Sequence, residues 1–258
     1  MFEYFPPVSG RLPEMLRVFH GPTSLLGRFF LTADKEARDR GVTITFSSLE
    51  ELVRTNRENS ETWRPLVPLF NPELSGIVPQ SAIVLLGRDA GGTVVAAQAA
   101  RRYDWHSTTL FEEATSLRMF FSDPDAARDL GNRCAVTAPV AHDIRGCVTF
   151  SGAGWYHPNF RGRGLASILP RLSRALAFTF WETDYTISMI GEKVIAGGMA
   201  ERCGYTHVEH NTVDLVAAPL GSMRCALVWM KTTQLLGDLE EYQIQAAVPG
   251  AHVRSATA

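Results

Sequence analysis

His157-Pro158-Asn159-Phe160-Arg161-Gly162-Arg163-Gly164-Leu165-Ala166 is the stretch on which the reading of this chain turns. Two glycines at i and i+2 let the backbone turn tightly, so that several N–H groups can converge on one point. An apolar-faced helical run begins directly behind them. The first turn of a helix has unpaired N–H donors and the positive end of the helix dipole. A tight glycine turn in front of such a helix is a cradle for phosphate or pyrophosphate. Arg161 and Arg163 add two guanidinium groups capable of charge-assisted bonds. A bare Arg-Gly-x-Gly is also an ordinary surface turn, so its surroundings decide its meaning.

Those surroundings are ordered. Upstream, Gly146–Phe150 reads as a strand, and Ser151-Gly152-Ala153-Gly154 behind it predicts a bulge. Downstream, Leu165, Ile168, Leu169, Leu172, Ala175, Leu176 and Phe180 share one helical face. Pro170 is expected in the first turns of that helix, where a missing N–H costs least. Asp184–Ile190 then reads as a strand and Val194–Cys203 as a short helix closed by Gly204. Tyr205–His210, Asn211–Val216 and Arg224–Met230 follow as strands. Further out, Ser24–Arg40 reads as a helix ending at Gly41, and Val42–Phe46 alternates as a strand. Ser48 and Glu51 form a capping box for a polar helix to about Glu58. Ser81–Leu86 and Thr93–Ala100 flank the turn Gly87–Gly92 as a hairpin. Leu110–Phe121 fits a helix or a long strand.

The remaining features bound the partners. The net charge of −2 gives no electrostatic argument for nucleic acid or an anionic membrane. The four cysteines, Cys134, Cys147, Cys203 and Cys225, form no C-x-x-C pair and read as reduced, buried thiols. The chain shows no signal pattern and no apolar run of spanning length, so a cytoplasmic location is expected. The seven histidines lack ligand spacing, and no metal site is expected. Three segments are expected: a mostly helical N-terminal extension over 1–40, the main domain over 41–244, and a flexible tail over 245–258.

Asn159-Phe160-Arg161-Gly162-Arg163-Gly164 resembles the coenzyme signature of the GNAT acyltransferase superfamily, Gln/Arg-x-x-Gly-x-Gly/Ala at a helix start. Asn159 departs from the first position. The family's second pattern, Asn-x-x-Ala-x-x-x-Tyr-x-x-x-Gly-Phe, is met by Lys193, Ala196, Ala200, Gly204 and Tyr205. Alanine, glycine and the terminal aromatic agree. Lys193 replaces the asparagine, and Ala200 replaces the tyrosine that often protonates the departing thiolate. The resemblance covers about residues 80–230; residues 1–80 carry no family motif.

The resemblance implies an α/β (α+β) fold: a mixed, mostly antiparallel central sheet with helices on both faces. Two neighbouring strands would splay after the bulge, and acetyl-CoA or another acyl-CoA would lie in the gap as co-substrate. Backbone groups of Ala153, Gly154, Trp155 and Tyr156 would pair with the pantetheine arm. Asn159, Arg161, Gly162, Arg163, Gly164, Leu165 and Ala166 would hold the pyrophosphate, with Lys193 as a further coenzyme contact. One N–H near the bulge would bind the developing oxyanion. The acceptor would be a small-molecule or protein amine, and the family is often dimeric.

Direct attack by an amine needs a group to take its proton. Glu113 and Glu192 are the candidate catalytic carboxylates. Glu112 shares the segment of Glu113, where one carboxyl is expected to be buried and raised in pKa. Solvated charges on a helix are the plainer reading of that pair, and dipole pairing at a helix start is the plainer reading of Glu192. Asp104 and His106 read as a loop pair, and His157 as a turn residue. Tyr156 and Tyr205 are the phenols near enough to replace the missing acid, although Tyr205 occupies a core aromatic position. Ser151 in the bulge reads as satisfying backbone groups. Cys147 and Cys203 read as packing rather than as nucleophiles. Two alternatives stand beside amine acylation. One is a non-catalytic acyl-CoA-binding module. The other is a synthase with a longer acyl donor, its tunnel capped by the Phe/Leu-rich N-terminal region.

Overall fold

A computed structural model describes residues 9–247. The prolines at 6 and 7 and most of the tail over 245–258 lie outside the described residues. The chain opens with β1 (Gly10–Arg11), α1 (Leu12–Met15), α2 (Thr23–Asp39), β2 (Thr43–Ser47) and α3 (Leu49–Glu58). A proline-rich stretch holding α4 (Pro72–Ser75) leads to the hairpin β3 (Ala82–Arg88) and β4 (Val94–Trp105). Then come α5 (Leu110–Thr115), α6 (Pro124–Asp129), β5 (Arg133–Val136), β6 (Gly146–Tyr156) and α7 (Leu165–Trp181). The last part is β7 (Tyr185–Gly191), α8 (Glu192–Ala196), α9 (Met199–Arg202), β8 (His207–Ala217), β9 (Gly221–Lys231) and α10 (Thr232–Ala247).

The strands form one sheet in the order β1-β2-β3-β4-β6-β7-β9-β8-β5. Every neighbouring pair is antiparallel except β6–β7, which is parallel. This is the mixed, mostly antiparallel sheet with helices on both faces that the resemblance implies. The central strands are covered on both sides. In β3, Ile83 and Leu85 enter the core under α2, α7 and α10, while Val84 and Leu86 enter the opposite core with Trp63, Phe70 and Phe120. A strand buried on both faces reads as a continuous apolar run, which is what Ala82–Leu86 is.

Several local expectations meet a physical correction. Leu110–Phe121 is neither a long helix nor a strand. A capping box of Thr109 and Glu112 starts α5, which ends after six residues, and Leu117 follows with φ +70°. The expected helix over Val194–Cys203 is broken into α8 and α9, because Gly198 takes φ +76° between them. The two strands expected over 205–216 are one strand, β8, with an irregularity between Glu209 and Val213. Ser48 caps α3 by accepting from the Glu51 N–H, but the Glu51 carboxylate turns to Ser47 and Arg88, so half of the box forms. Pro170 is the sixth residue of α7, in its second turn and so within the first turns expected, but past the positions whose N–H would be unpaired in any case. Lacking an N–H, it leaves the Ala166 carbonyl free, and the Cys203 thiol donates to that carbonyl at 3.5 Å.

The helix α10 had no counterpart in the sequence reading. Its Leu235, Leu239 and Tyr242 are buried against α2 and α7. Asp238 accepts a bidentate pair from Arg171 (2.8 and 2.9 Å) and a longer contact from Arg174 (3.4 Å). Gly204 makes room for this pair: a β-carbon there would collide with Asp238 and Arg171. The segment expected as an extension contributes α2, whose Leu26, Phe29 and Phe30 are buried in the same core as α7. All four cysteines are buried and free. Burial pushes the Cys147 thiol up to about 11, away from nucleophilic use at neutral pH.

Candidate active-site cleft

The parallel pair β6–β7 is joined over only three residue pairs, Val148↔Tyr185, Thr149↔Thr186 and Phe150↔Ile187. Beyond Phe150 the strands separate. The cause lies on the other edge of β6. Ala97 of β4 faces Trp155, but Ala99 faces Gly152, so Gln98 opposes two residues, Ala153 and Gly154. Ala153 takes φ +52°. This is the bulge expected at 151–154, and it bends β6 away from β7. A buried chain of hydrogen bonds fixes the bend. Gln98 Nε2 donates to Ser151 Oγ (3.0 Å), Ser151 Oγ lies 2.9 Å from Ser173 Oγ, and Ser173 Oγ donates to the Pro170 carbonyl (3.0 Å). Ser151 therefore binds side chains rather than satisfying backbone groups.

The gap between the strands holds a cavity of about 240 Å³, walled by Ser151, Ala153, Tyr156, Ser188, Ile190 and Tyr205. It opens on one side into a wider space of about 760 Å³, bordered by Trp63, Arg64, Arg161, Glu192, Lys193 and Arg224. Gly154, Tyr156 and Val194 line both. Trp63 and Trp155 stack face to face at 5.1 Å under the wider mouth, and Trp155 Nε1 donates to Thr62 Oγ1 at 3.3 Å. The Trp155 side chain is thus a wall of that mouth, and only its backbone borders the splay.

At the start of α7 the glycine turn has the expected form. Gly162 and Gly164 take φ +76° and +77°, a region other residues enter at a cost. Among the described residues, the backbone N–H groups of Gly162, Arg163, Gly164, Leu165 and Ala166 have no backbone acceptor. The arginines act differently from the expectation. Arg161 donates from Nε to the Tyr156 carbonyl (3.1 Å) and from Nη2 to the Thr62 carbonyl (3.3 Å). Arg163 donates to the Arg40 carbonyl (3.3 Å) and lies over the Phe160 ring at 4.1 Å. Both brace the loop, and the open donors at the helix start are backbone N–H groups. Asn159 is exposed in the turn Pro158–Phe160, with its N–H donating to His157 Nδ1 at 3.3 Å. His157 is the turn residue it was read to be.

The two candidate carboxylates separate. Glu113 is clasped by Arg118 at 2.6 Å and borders neither space of the cleft. Its neighbour Glu112 is held below the ordinary carboxylate range by the Thr108 hydroxyl and the Thr109 cap, the opposite of the raised pKa expected there. Glu192 does stand at the wider mouth. Its carboxylate accepts from the Asn211 N–H (2.5 Å) and faces His210 Nδ1 (3.2 Å), and the Asn211 bond holds its pKa low. Asp104 and His106 pair on the exposed surface at 3.5 Å. Trp63 is a core and pocket-wall tryptophan, as its residue type predicts; Arg64 and Arg224 were not singled out in the sequence. They come from separate segments, and no local spacing relates them. Among the described residues no group of His, Cys, Asp or Glu is placed to hold a metal, and no helix is long and apolar enough to cross a membrane.

No protein-family model matches the chain, and no curated protein is similar to it in sequence. Solved structures are similar to it. One is the aminoglycoside acetyltransferase AAC(6')-Ib in complex with coenzyme A and kanamycin: 14% identity, 75% of this chain and 96% of that one, TM-score 0.41. Another is a variant of the spermidine N-acetyltransferase SpeG from Vibrio cholerae: 11% identity, 76% and 96% coverage, TM-score 0.43. A third is an uncharacterized protein from Bacillus halodurans: 11% identity, 80% and 92% coverage, TM-score 0.46.

Proposed function

We propose that this protein is an acyltransferase that moves a short acyl group from an acyl-CoA to an amine by direct attack. One observation carries the reading. A cleft with a narrow cavity and a wider mouth opens between two splayed strands, and a backbone N–H cradle stands at the start of the helix that follows β6. A long donor would rest its phosphate on the cradle and its thioester in the cleft, and the wider mouth leaves room for the second reactant. Gly162–Ala166 would hold the pyrophosphate by N–H groups and helix dipole. The β6 backbone from Ala153 to Tyr156, unpaired on its β7 side, would bind the pantetheine arm as an added strand. A bulge N–H would take the charge that develops on the thioester oxygen.

The amine would enter at the mouth bordered by Trp63, Trp155 and Glu192. Its ammonium proton must leave before attack. Glu192, ionised at neutral pH, takes it through water; its low pKa makes it a weak base and an adequate electrostatic anchor. No covalent acyl-enzyme is required, and the buried thiols offer none.

The test is calorimetric titration with acetyl-CoA, followed by thiol release against a panel of primary amines. Micromolar binding with amine-dependent thiol release is the expected result. Absence of binding at millimolar acetyl-CoA would overturn the reading. Tight binding with no release for any amine would leave a coenzyme-binding module instead, the role to which Ala200 in the tyrosine position points.

A further inference from the structure

The wide mouth carries charge opposite in sign to the chain as a whole. The chain has a net charge of −2. Arg64, Arg161, Lys193 and Arg224 border the mouth, and Glu192 is the one carboxylate among the residues that line it. Arg224 is matched by Asp214 at 2.9 Å. Arg161 donates to carbonyls, so its positive charge is unmatched. Arg64 and Lys193 are exposed, and among the described residues neither side chain has a carboxylate or hydrogen-bond partner. Burial, with Glu192 and Asp214, pushes the Cys225 thiol up to about 11, and Arg64 opposes them, so the charges of Glu192 and Arg64 act on one residue of β9. The rest of the wall includes the apolar side chains of Leu66, Val67, Leu220 and Met223.

We infer that the acceptor is a small apolar amine that also carries a carboxylate, the chemistry of an apolar amino acid. The inference rests on the acyl-transfer reading given above and names the acceptor class within it. The ammonium group is drawn to Glu192, the carboxylate meets the Arg64 guanidinium, and the apolar remainder lies on the Leu66 and Met223 side of the mouth. A guanidinium presents a planar fork that matches a carboxylate, and the charge-assisted bonds between them are stronger than neutral ones. Three unmatched cations against one carboxylate disfavour a polyamine, whose further positive charges find no partner there. The coenzyme phosphates have their own donors in the N–H groups of Gly162–Ala166. Arg64, in the loop that follows α3, is therefore left for the second reactant.

The experiment compares L-phenylalanine and L-leucine with their carboxamides, which have the same shape and lack the anionic group. Spermidine is the polycation control. Each is titrated into the protein saturated with CoA, and each is assayed for KM in thiol release from acetyl-CoA. In wild type the acids should bind about 10-fold more tightly than their amides, and spermidine more weakly than either. Arg64→Glu should abolish the preference by weakening the acids alone, and Arg64→Lys should keep part of it. Acetyl-CoA affinity and the unfolding midpoint should stay unchanged in both variants, because the Arg64 side chain is exposed and unpartnered. Amides or spermidine binding as well as the acids would overturn the inference. So would a preference that survives Arg64→Glu, or a loss of acetyl-CoA affinity in that variant, which would assign the cation to the coenzyme. If wild type binds no acetyl-CoA, the acyl-transfer reading itself fails and this inference with it. Acetyl-CoA binding to wild type is read first, so the two failures are distinct.

Discussion

The N–H cradle before α7 and the wide mouth of the β6–β7 cleft are made by different means. The cradle is built from one contiguous stretch, residues 157–166, and its donors are backbone N–H groups. The wide mouth is assembled from the loop at 62–67, the end of β6, the start of α8 and the β8–β9 hairpin, and its groups are side chains. Backbone donors at a helix start need only the right turn. Side chains from four segments need the whole sheet to bring them together. The contrast predicts that damage to the cradle is local and specific to the donor, whereas damage to the wide mouth depends on which segment is touched.

The largest expected effect tests what stands behind the cradle. Asp238→Ala would strand Arg171 and Arg174 in a buried setting, with side chains 10% and 0% exposed. Breaking such a pair typically costs about 3–5 kcal/mol. Urea unfolding should show this loss, and acetyl-CoA affinity should fall because α7 loses its brace to α10. Next is the cradle itself. In Gly162→Val the new β-carbon meets no neighbour, so the fold has room for it, but a β-branched residue is strained at φ +76°. Acetyl-CoA affinity should drop about 100-fold, roughly 2.7 kcal/mol, while stability falls only by the local backbone strain, about 1–3 kcal/mol. Calorimetry and thermal unfolding on one sample check both halves.

The wide mouth should respond in the other parameter. Glu192→Gln is expected to raise the KM for the amine about 10-fold, near 1.4 kcal/mol, with acetyl-CoA affinity intact. An equal change in both constants would mean that cradle and mouth are not separate. The smallest effect comes from the same carboxylate. Its pKa in the fold is depressed by the Asn211 N–H, so the ionised form is stabilised by folding. That contribution is present above the ordinary glutamate range of about 4.3 and is lost as pH falls through the lower folded value. The stability difference between wild type and Glu192→Gln, at most about 1 kcal/mol at pH 7, should therefore close on acidification. Denaturation midpoints from pH 7 down to pH 3 would show it.

The same division governs what was legible in the chain. The glycine turn, the bulge at 151–154, the β3–β4 hairpin and the face of α7 are local patterns with a local cause. Each stands where the residues placed it. The α10 pattern of Leu235, Leu239 and Tyr242 was equally local, but Gly237 and the polar residues between them obscured it. Elsewhere the fold supplies partners that the local pattern does not name. Arg161 and Arg163, read as guanidinium donors for phosphate, donate to carbonyls of Tyr156, Thr62 and Arg40. Glu113, read as a cleft carboxylate, is held by Arg118 away from the cleft.

By itself, then, the sequence determined where the backbone turns, where strands alternate and where a helix starts with free N–H groups. Steric limits on φ and the period of apolar residues act over a few positions, so neighbours along the chain suffice to set them. Only the tertiary structure decided the splay of β6 from β7, the pairing of Trp63 with Trp155 across 92 positions, and the buried bonds from Gln98 through Ser151 to Ser173. Those depend on which groups meet when the sheet closes and on which polar groups find partners there. The cost of a buried polar atom is set by the atoms that surround it, and in this fold they come from every part of the chain.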